Sequence, residues 1–326
     1  MAGPIDNLKD FYLYSQEGRT EVERDYKDLW NGASRGGLRL AVRPTGGDLK
    51  YANSPKKIDN LVALKEIDKD DALTSKDYAQ IQTIEVKCAY GSDPVRISKL
   101  AAEWRGLSSA QMGTHWGTQV GVANNLIKQE AILGSIVAAI SGNTSQVLDK
   151  DGGTTAVAAN KMTLEKILEA QSLFQSDYGS IGCIIMHSKA FWDFQLANLA
   201  SNKELFDYPG LFRTADPKGI PIIAVDSDRL KFTETVDKYR TLFLRPGAVT
   251  LFDDGNYTEN IDTSNGRTLI TSTIQSEGSF NIGIMGYSWK VAAGTSPLQN
   301  QLEASANWEK VATSDKDCAG VLLTTQ

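Results

Sequence analysis

The sequence predicts an α+β fold, and three stretches carry that prediction. From Tyr239 to Ala292 the chain reads as strand after strand, in short apolar or alternating runs broken by turn residues. From Ser108 to Ile140 apolar positions step at three and four, the period of one long helix. Between them, from Met162 to Ser227, helix and strand patterns alternate in the order of a compact α/β lobe.

Composition narrows the class. At 326 residues the chain buries roughly three quarters of its unfolded surface and is expected to divide into two lobes with extensions. Its apolar share of 41% and charged share of 23% are those of an ordinary globular protein. No apolar run approaches the ~20 residues that a membrane span needs. Met1-Ala2-Gly3-Pro4-Ile5-Asp6 lacks the basic and then apolar pattern of a secretory signal, so synthesis and folding in the cytoplasm are expected. Cys88, Cys183 and Cys318 are scattered, form no CxxC, and are expected to be inert core thiols. A net charge of −6 argues against a surface that grips nucleic acid through clustered cations. A weakly acidic wall can still enclose DNA without adhering to it.

Taken in order, residues 1–37 form a charged segment. Thr20 and Glu23 have the spacing of a capping box, predicting a short helix with Val22, Tyr26 and Leu29 along one stripe and an end at Gly32, Gly36 and Gly37. Such a helix packs either on its own core or, as an arm, on a neighbour. Leu38, Leu40 and Val42 alternate with Arg39, Ala41 and Arg43, and Ile84, Val86, Cys88 and Tyr90 alternate with Glu85, Lys87 and Ala89, giving two half-buried strands. The long polar stretch between them carries turn signals at Gly46-Gly47-Asp48, Asn53-Ser54-Pro55 and Asp68-Lys69-Asp70-Asp71. A connection of that length is functional, disordered, or an excursion that packs elsewhere.

Ser108 and Gln111 make a second capping box, followed by a helix of about 30 residues that ends at Gly142-Asn143 and spans ~45 Å at 1.5 Å per residue. A helix this long suggests the spine of an elongated molecule. Thr163 caps a shorter helix, Ile181 to Met186 is a fully apolar strand, Ser188 caps another helix, and Ile220 to Val225 is a second buried strand. Strands then run over Thr241 to Leu244, Ala248 to Phe252, Thr268 to Ile274 and Phe280 to Val291, before a polar tail that carries Trp308 and ends at Gln326. Gly278, Gly283 and Gly286 fit bulges or close backbone approach.

The chemistry-bearing residues point away from catalysis. His115 and His187 are the only histidines. His187 beside Ser188 leaves a hydrolase-type α/β enzyme as an alternative, but the G-x-S-x-G elbow is absent and helix capping accounts for Ser188. Asp149-Lys150-Asp151-Gly152 starts like a calcium loop, yet Gly153 and Asn160 stand where ligands belong, so it reads as a solvated turn. Asp68, Asp70 and Asp71 read as a wet face. No phosphate-binding loop occurs, and the expectation is no catalytic residue, no cofactor and no metal.

Met162 to Ala170, Phe174 to Tyr178, Ile184 to Phe191 and Gly219 to Asp226 together resemble the A-domain of tailed-bacteriophage major capsid proteins of the Hong Kong 97-type fold. Gly286 to Lys290, Asn307 to Val311 and Lys316 to Val321 are similar to the close of such coat proteins. The resemblance implies an N-terminal arm over 1–37, an extended E-loop with flanking strands over 38–90, a P-domain with the spine helix over 91–161 and an A-domain over 162–240. Over 241–326 it implies strands returning to the P-domain and a C-terminal tail. Tyr26, Trp30, Lys50, Tyr51, Lys56 and Lys57 are then the candidates for contacts between subunits.

It further implies self-assembly into pentamers and hexamers that close an icosahedral head around double-stranded DNA. The partners would be other copies of the chain, a portal protein, scaffolding and cement proteins where the head uses them, and DNA held only non-specifically, with no membrane. Some relatives crosslink through a loop lysine, for which Lys50, Lys56 and Lys57 are placed. A compartment shell of the encapsulin type, which shares the fold, and a tail-tube or baseplate protein are the alternatives within assembly.

Overall fold

The structure is a computed structural model and describes residues 8–42, 49–55, 80–98, 106, 108–153, 158–201, 219–264 and 271–326. Helix α1 (Leu8–Ala33) leads into β1 (Leu38–Val42), β2 (Leu49–Pro55), β3 (Gln80–Gly91) and β4 (Val95–Ser98), then the long helix α2 (Ser109–Ser141) and β5 (Val147–Asp149). The lobe α3 (Leu164–Ser172), β6 (Cys183–His187), α4 (Ser188–Ser201), β7 (Ile222–Val225) follows. Next come β8 (Lys231–Thr233), β9 (Asp237–Leu244), β10 (Val249–Asp253), β11 (Thr258–Ser264), β12 (Thr271–Ile284) and β13 (Tyr287–Trp289). The chain closes with α5 (Gln299–Leu302), β14 (Trp308–Lys310) and β15 (Gly320–Thr325).

Among the described residues the strands form two large sheets, with α2 between them, and a two-stranded β13–β14 pair. The seven-stranded sheet has the order β1-β10-β12-β3-β2, with β11 and β4 also on β12. The six-stranded sheet has the order β5-β15-β9-β6-β7, with β8 also on β9. Residues 131–140 of α2 are buried on every side. Ile132, Ile136 and Ile140 share one apolar cluster with Val86, Phe280 and Ile282 of the first sheet and Ile185, Leu242 and Leu322 of the second. Each such side chain taken out of water contributes roughly 1.5–3 kcal/mol. The other face of the six-stranded sheet, with Ile184, Phe243 and Leu323, is covered by Ile167 of α3 and Phe194 of α4. The predicted cap of α2 is present: the Ser108 hydroxyl accepts from the Gln111 amide at 3.2 Å, and the Gln111 side chain accepts from the Ser108 amide at 3.0 Å.

Helix α1 is longer than expected and starts elsewhere. Thr20 is not its cap but an interior residue whose hydroxyl donates to the Gln16 carbonyl at 2.7 Å, while Glu23 pairs with Arg19 at 3.1 Å. Backbone bonding one turn back replaces the capping box. The helix lies along α2 of its own chain through a ridge of glycines. A Cβ on Gly117 would sit 2.1 Å from the Ser15 carbonyl oxygen, and one on Gly113 would sit 2.5 Å from that of Phe11. Gly121 extends the row by another four residues, against Arg19. Only hydrogen at these positions lets the two backbones touch. Phe11 then packs with Trp116 and Val120 of α2 and Ile274 of β12, and the Ser15 hydroxyl donates to Glu259 of β11 at 3.0 Å. At the other end, the Asn31 side chain accepts from the Leu40 amide at 2.9 Å and donates to the Leu40 carbonyl at 3.1 Å, covering the edge of β1.

Three other expectations change. The polar stretch after Val42 contains β2, antiparallel to β3 from Leu49↔Val86 to Pro55↔Gln80, so Asn53-Ser54-Pro55 ends an edge strand and is not a free turn. The strands expected over Thr268 to Ile274 and Phe280 to Val291 are organised as a continuous β12 that breaks at Gly286, where φ is +80° and a Cβ would stand 2.8 Å from the Asp317 carbonyl oxygen. The polar tail is not a tail: β15 is fully buried and runs between β5 and β9. Trp289 and Trp308 meet edge to face at 5.1 Å, closing the β13–β14 pair.

A polar clamp joins this last segment to the end of α2. Asp315 accepts from the Asn143 amide group at 3.0 Å and from the Ser145 hydroxyl at 2.9 Å, and pairs with Lys310. The Lys310 hydrogen bond, and then that of Asn143, hold its carboxyl down at about 2. Cys88, Cys183 and Cys318 are free and buried as expected, and burial pushes the Cys88 and Cys183 thiols up to about 12.

This packing makes Gly117→Ala force α1 away from α2 and lower the unfolding midpoint. Gly32→Ala, whose added methyl meets nothing within 4 Å in the same helix, raises stability by about 0.5–1 kcal/mol; urea unfolding compares the two. The depressed Asp315 carboxyl stabilises the fold above its unfolded pKa and loses that effect as pH falls toward about 2. Thermal unfolding of Asp315→Asn is therefore lower than that of the parent at pH 7, and the gap closes toward pH 2.

Candidate assembly surfaces

The residues expected to reach a neighbour fall into three groups. Tyr26 and Trp30 face inward: Trp30 is 7% exposed in the main core, and the Tyr26 hydroxyl donates to Gln129 of α2 at 2.9 Å. Their rings lie 5.9 Å apart. Burial pushes the Tyr26 phenol above its ordinary pKa. Within the protomer both pack against their own spine, one of the two placements the sequence left open, because the stripe they share is the one that meets α2. Lys50 and Tyr51 lie on β2, in register with Glu85 and Ile84 of β3, and the Tyr51 side chain is exposed. Lys56 and Lys57 fall outside the described residues.

The His187 alternative fails on geometry. His187 Nδ1 accepts from the Lys189 backbone amide at 3.0 Å, so the ring itself caps α4, the role expected of Ser188. Its Nε2 faces Asp226 Oδ1 at 3.3 Å, and the Ser188 hydroxyl donates to the same oxygen at 3.3 Å. Serine and histidine therefore converge on the aspartate and not on each other, which is not the serine-to-histidine arrangement of a hydrolase. Burial, opposed by Asp226, holds His187 below its ordinary pKa. The Asp149–Gly152 turn is likewise committed: Asp151 pairs with buried Lys238 at 2.7 Å and accepts from the Gly153 amide at 2.8 Å. Among the described residues no group of three or more His, Cys, Asp or Glu side chains is arranged to hold a metal, and no helix is long and apolar enough to cross a membrane.

What the protomer presents outward is apolar surface on its outer helices. On α4, Ala190 and Phe194 are buried against the sheet while Trp192 is 53% and Leu196 58% exposed. On neighbouring α3, Leu168 is 43% exposed and borders a shallow groove with Leu164, Glu165, Glu169 and Ser172. Val122 and Leu126 are exposed one turn apart on α2. Sequence reasoning missed Trp192 and Leu196. The signal was present, since Ser188–Ser201 carries apolar residues on more than the one side that rests on the sheet. A groove of about 280 Å³ between α1 and β1, lined in part by Tyr26, Leu40, Leu251 and Lys128, is apolar, and Lys128 there is paired with Asp253 at 2.5 Å.

These features, a body built on one long helix, without a catalytic constellation among the described residues and with apolar outer helices, agree with the comparisons to known proteins. The fold is that of phage capsids. Similar structures include the Cyanophage Pam1 capsid asymmetric unit, with TM-score 0.57, 11% identity and 88% of each chain covered. The capsid of Ralstonia phage GP4 has TM-score 0.54 and 10% identity, covering 89% of this chain and 87% of that one. The acid-stable capsid of Helicobacter pylori bacteriophage KHP30 has TM-score 0.55 and 11% identity, covering 91% and 89%. At such identities the likeness is one of fold, the Hong Kong 97-type expected from the sequence. No curated protein matches the sequence. The family model described as Gp13-like, major capsid protein 13-like, matches residues 7–322. With nearly its whole length inside that match, the chain belongs to the Gp13-like family of major capsid proteins.

Proposed function

We propose that this coat protein assembles through pentamers and hexamers into a closed icosahedral head that encloses double-stranded DNA, after synthesis in the host cytoplasm. The observation that carries the reading is the family match over residues 7–322 together with a capsid-fold likeness that covers 88% of the chain. Shell formation needs many modest contacts repeated around each protomer, since simultaneous engagement multiplies weak interfaces. Exposed Trp192, Leu196, Leu168 and Leu298 supply apolar area for such contacts. The net charge of −6 suits a wall that contains DNA without binding it tightly. A portal protein at one vertex belongs to the proposal, as do scaffolding and cement proteins as further partners.

The same reading makes the chain a non-enzyme, which the convergence of His187 and Ser188 on Asp226 supports. Nothing specific favours the encapsulin-type shell or the tail-tube alternative. The test is to express the chain, alone and with the neighbouring phage head genes, and to image the particles. Closed shells with fivefold and sixfold clusters, filled with nuclease-protected DNA when packaging proteins are present, are expected. Rods, open rings, or shells filled with folded enzyme contradict the proposal.

A further inference from the structure

His187 is the last residue of β6 and stands directly before α4, so its ring sits where sheet passes into helix. The residue is buried, with the Tyr239 ring of neighbouring β9 at 4.9 Å. The backbone N–H of Lys189, in the first turn of α4, donates to Nδ1 at 3.0 Å. A peptide N–H only donates, so Nδ1 carries no proton and the neutral ring holds its hydrogen on Nε2. That nitrogen faces Asp226 Oδ1 at 3.3 Å.

Serine, threonine and asparagine caps accept at any pH, whereas an imidazole nitrogen is a cap atom that a proton abolishes near neutrality. Protonation at Nδ1 sets one N–H against another, and the Lys189 amide loses its acceptor. The charged groups around the ring come from every element beside it. Asp226, after β7, and Asp228, in the turn before β8, favour the cation, while burial, the largest effect, and Lys231 of β8 oppose it. Lys231 is itself paired with Asp237 of β9 at 2.9 Å. On α4, Lys189 is tied to Asp193 at 2.6 Å, and Asp193 also meets Lys161 at 3.9 Å. Burial prevails, and His187 lies below its ordinary pKa.

We propose that His187 is a proton-operated latch on α4. Neutral, it fastens the amino end of the helix to the sheet; on taking a proton from water it releases the Lys189 amide, turns toward Asp226 and loosens the first helical turn. This outer helix is therefore held more tightly at neutral than at mildly acid pH. Because the folded state keeps His187 below its ordinary pKa, the contribution of the cap is complete above about 6.5 and is lost as pH falls through the lowered value. The latch belongs to the protomer and does not depend on the coat-protein reading.

The test is amide hydrogen exchange on the full chain at about pH 7 and about pH 5, corrected for the intrinsic pH dependence of exchange. Protection of Lys189 and Ala190 is expected to fall roughly fivefold at the lower pH, the loss of one hydrogen bond, while protection over Ile132–Ile140 of α2 holds. In His187→Asn, whose side-chain oxygen accepts from the same amide at either pH, the fall is expected to vanish. Nitrogen resonances of the parent's ring, told apart from those of His115, the only other histidine, give a readout that needs no variant. They are expected to show the Nε2–H form at pH 7 and a titration that tracks the loss of protection. Equal protection at both pH values in the parent, a fall that persists in His187→Asn, or a ring protonated at Nδ1 at pH 7 overturns the latch. Should His187→Asn not fold, the ring titration decides: a loss of protection that does not follow it counts against the latch.

Discussion

Residues 131–140 of α2 are enclosed by both sheets, so the core that joins the two sheets depends on that helix: Ile132, Ile136 and Ile140 are shared between them, while the outer face of the six-stranded sheet packs separately on α3 and α4. The amino-terminal half of α2 has a different constraint, the glycine row that brings α1 into backbone contact. A single helix thus sets the spacing of the two sheets at one end and the track of α1 at the other. Rigidity over ~50 Å, the length of 33 residues at 1.5 Å each, is a property that a shell building block needs.

Much of this was legible where the signal is local. The Ser108–Gln111 box and the three-and-four stepping that follows define α2 because capping and periodicity are read within a few residues. Ile181 to Met186 reads as a buried strand because a short, continuous apolar run between two helices matches a strand covered on both faces, whereas Ile220 to Val225, read the same way, is an edge strand with Ala224 exposed. The failures lie where the meaning of a residue depends on a distant partner. Val321-Leu322-Leu323 sits in a polar context, and only pairing with Tyr239–Leu244, some eighty residues earlier, makes it an interior strand. β2 is hidden for the same reason, its polar sequence being held by β3. Gly113, Gly117 and Gly121 repeat at four, a spacing plain in the sequence, but it becomes a docking track only once α1 is known to lie there.

The candidate contacts show the same division. Tyr26 and Trp30 form a real stripe, and within the protomer that stripe packs on α2. The apolar excess on α4 is the converse case. There the protomer's own packing buries Ala190 and Phe194 and leaves Trp192 and Leu196 more than half exposed.

Helix α1 therefore belongs to the body of its own protomer, seated on the glycine row of α2 before any neighbour arrives. Amide hydrogen exchange on the free protomer tests this most directly. Slow exchange is predicted along α1 where it faces Gly113, Gly117 and Gly121, at rates close to those of α2 itself and little changed on assembly. Rapid exchange throughout α1 in the free protomer, with protection gained only in the closed shell, would show an arm that folds on its neighbour and would contradict it.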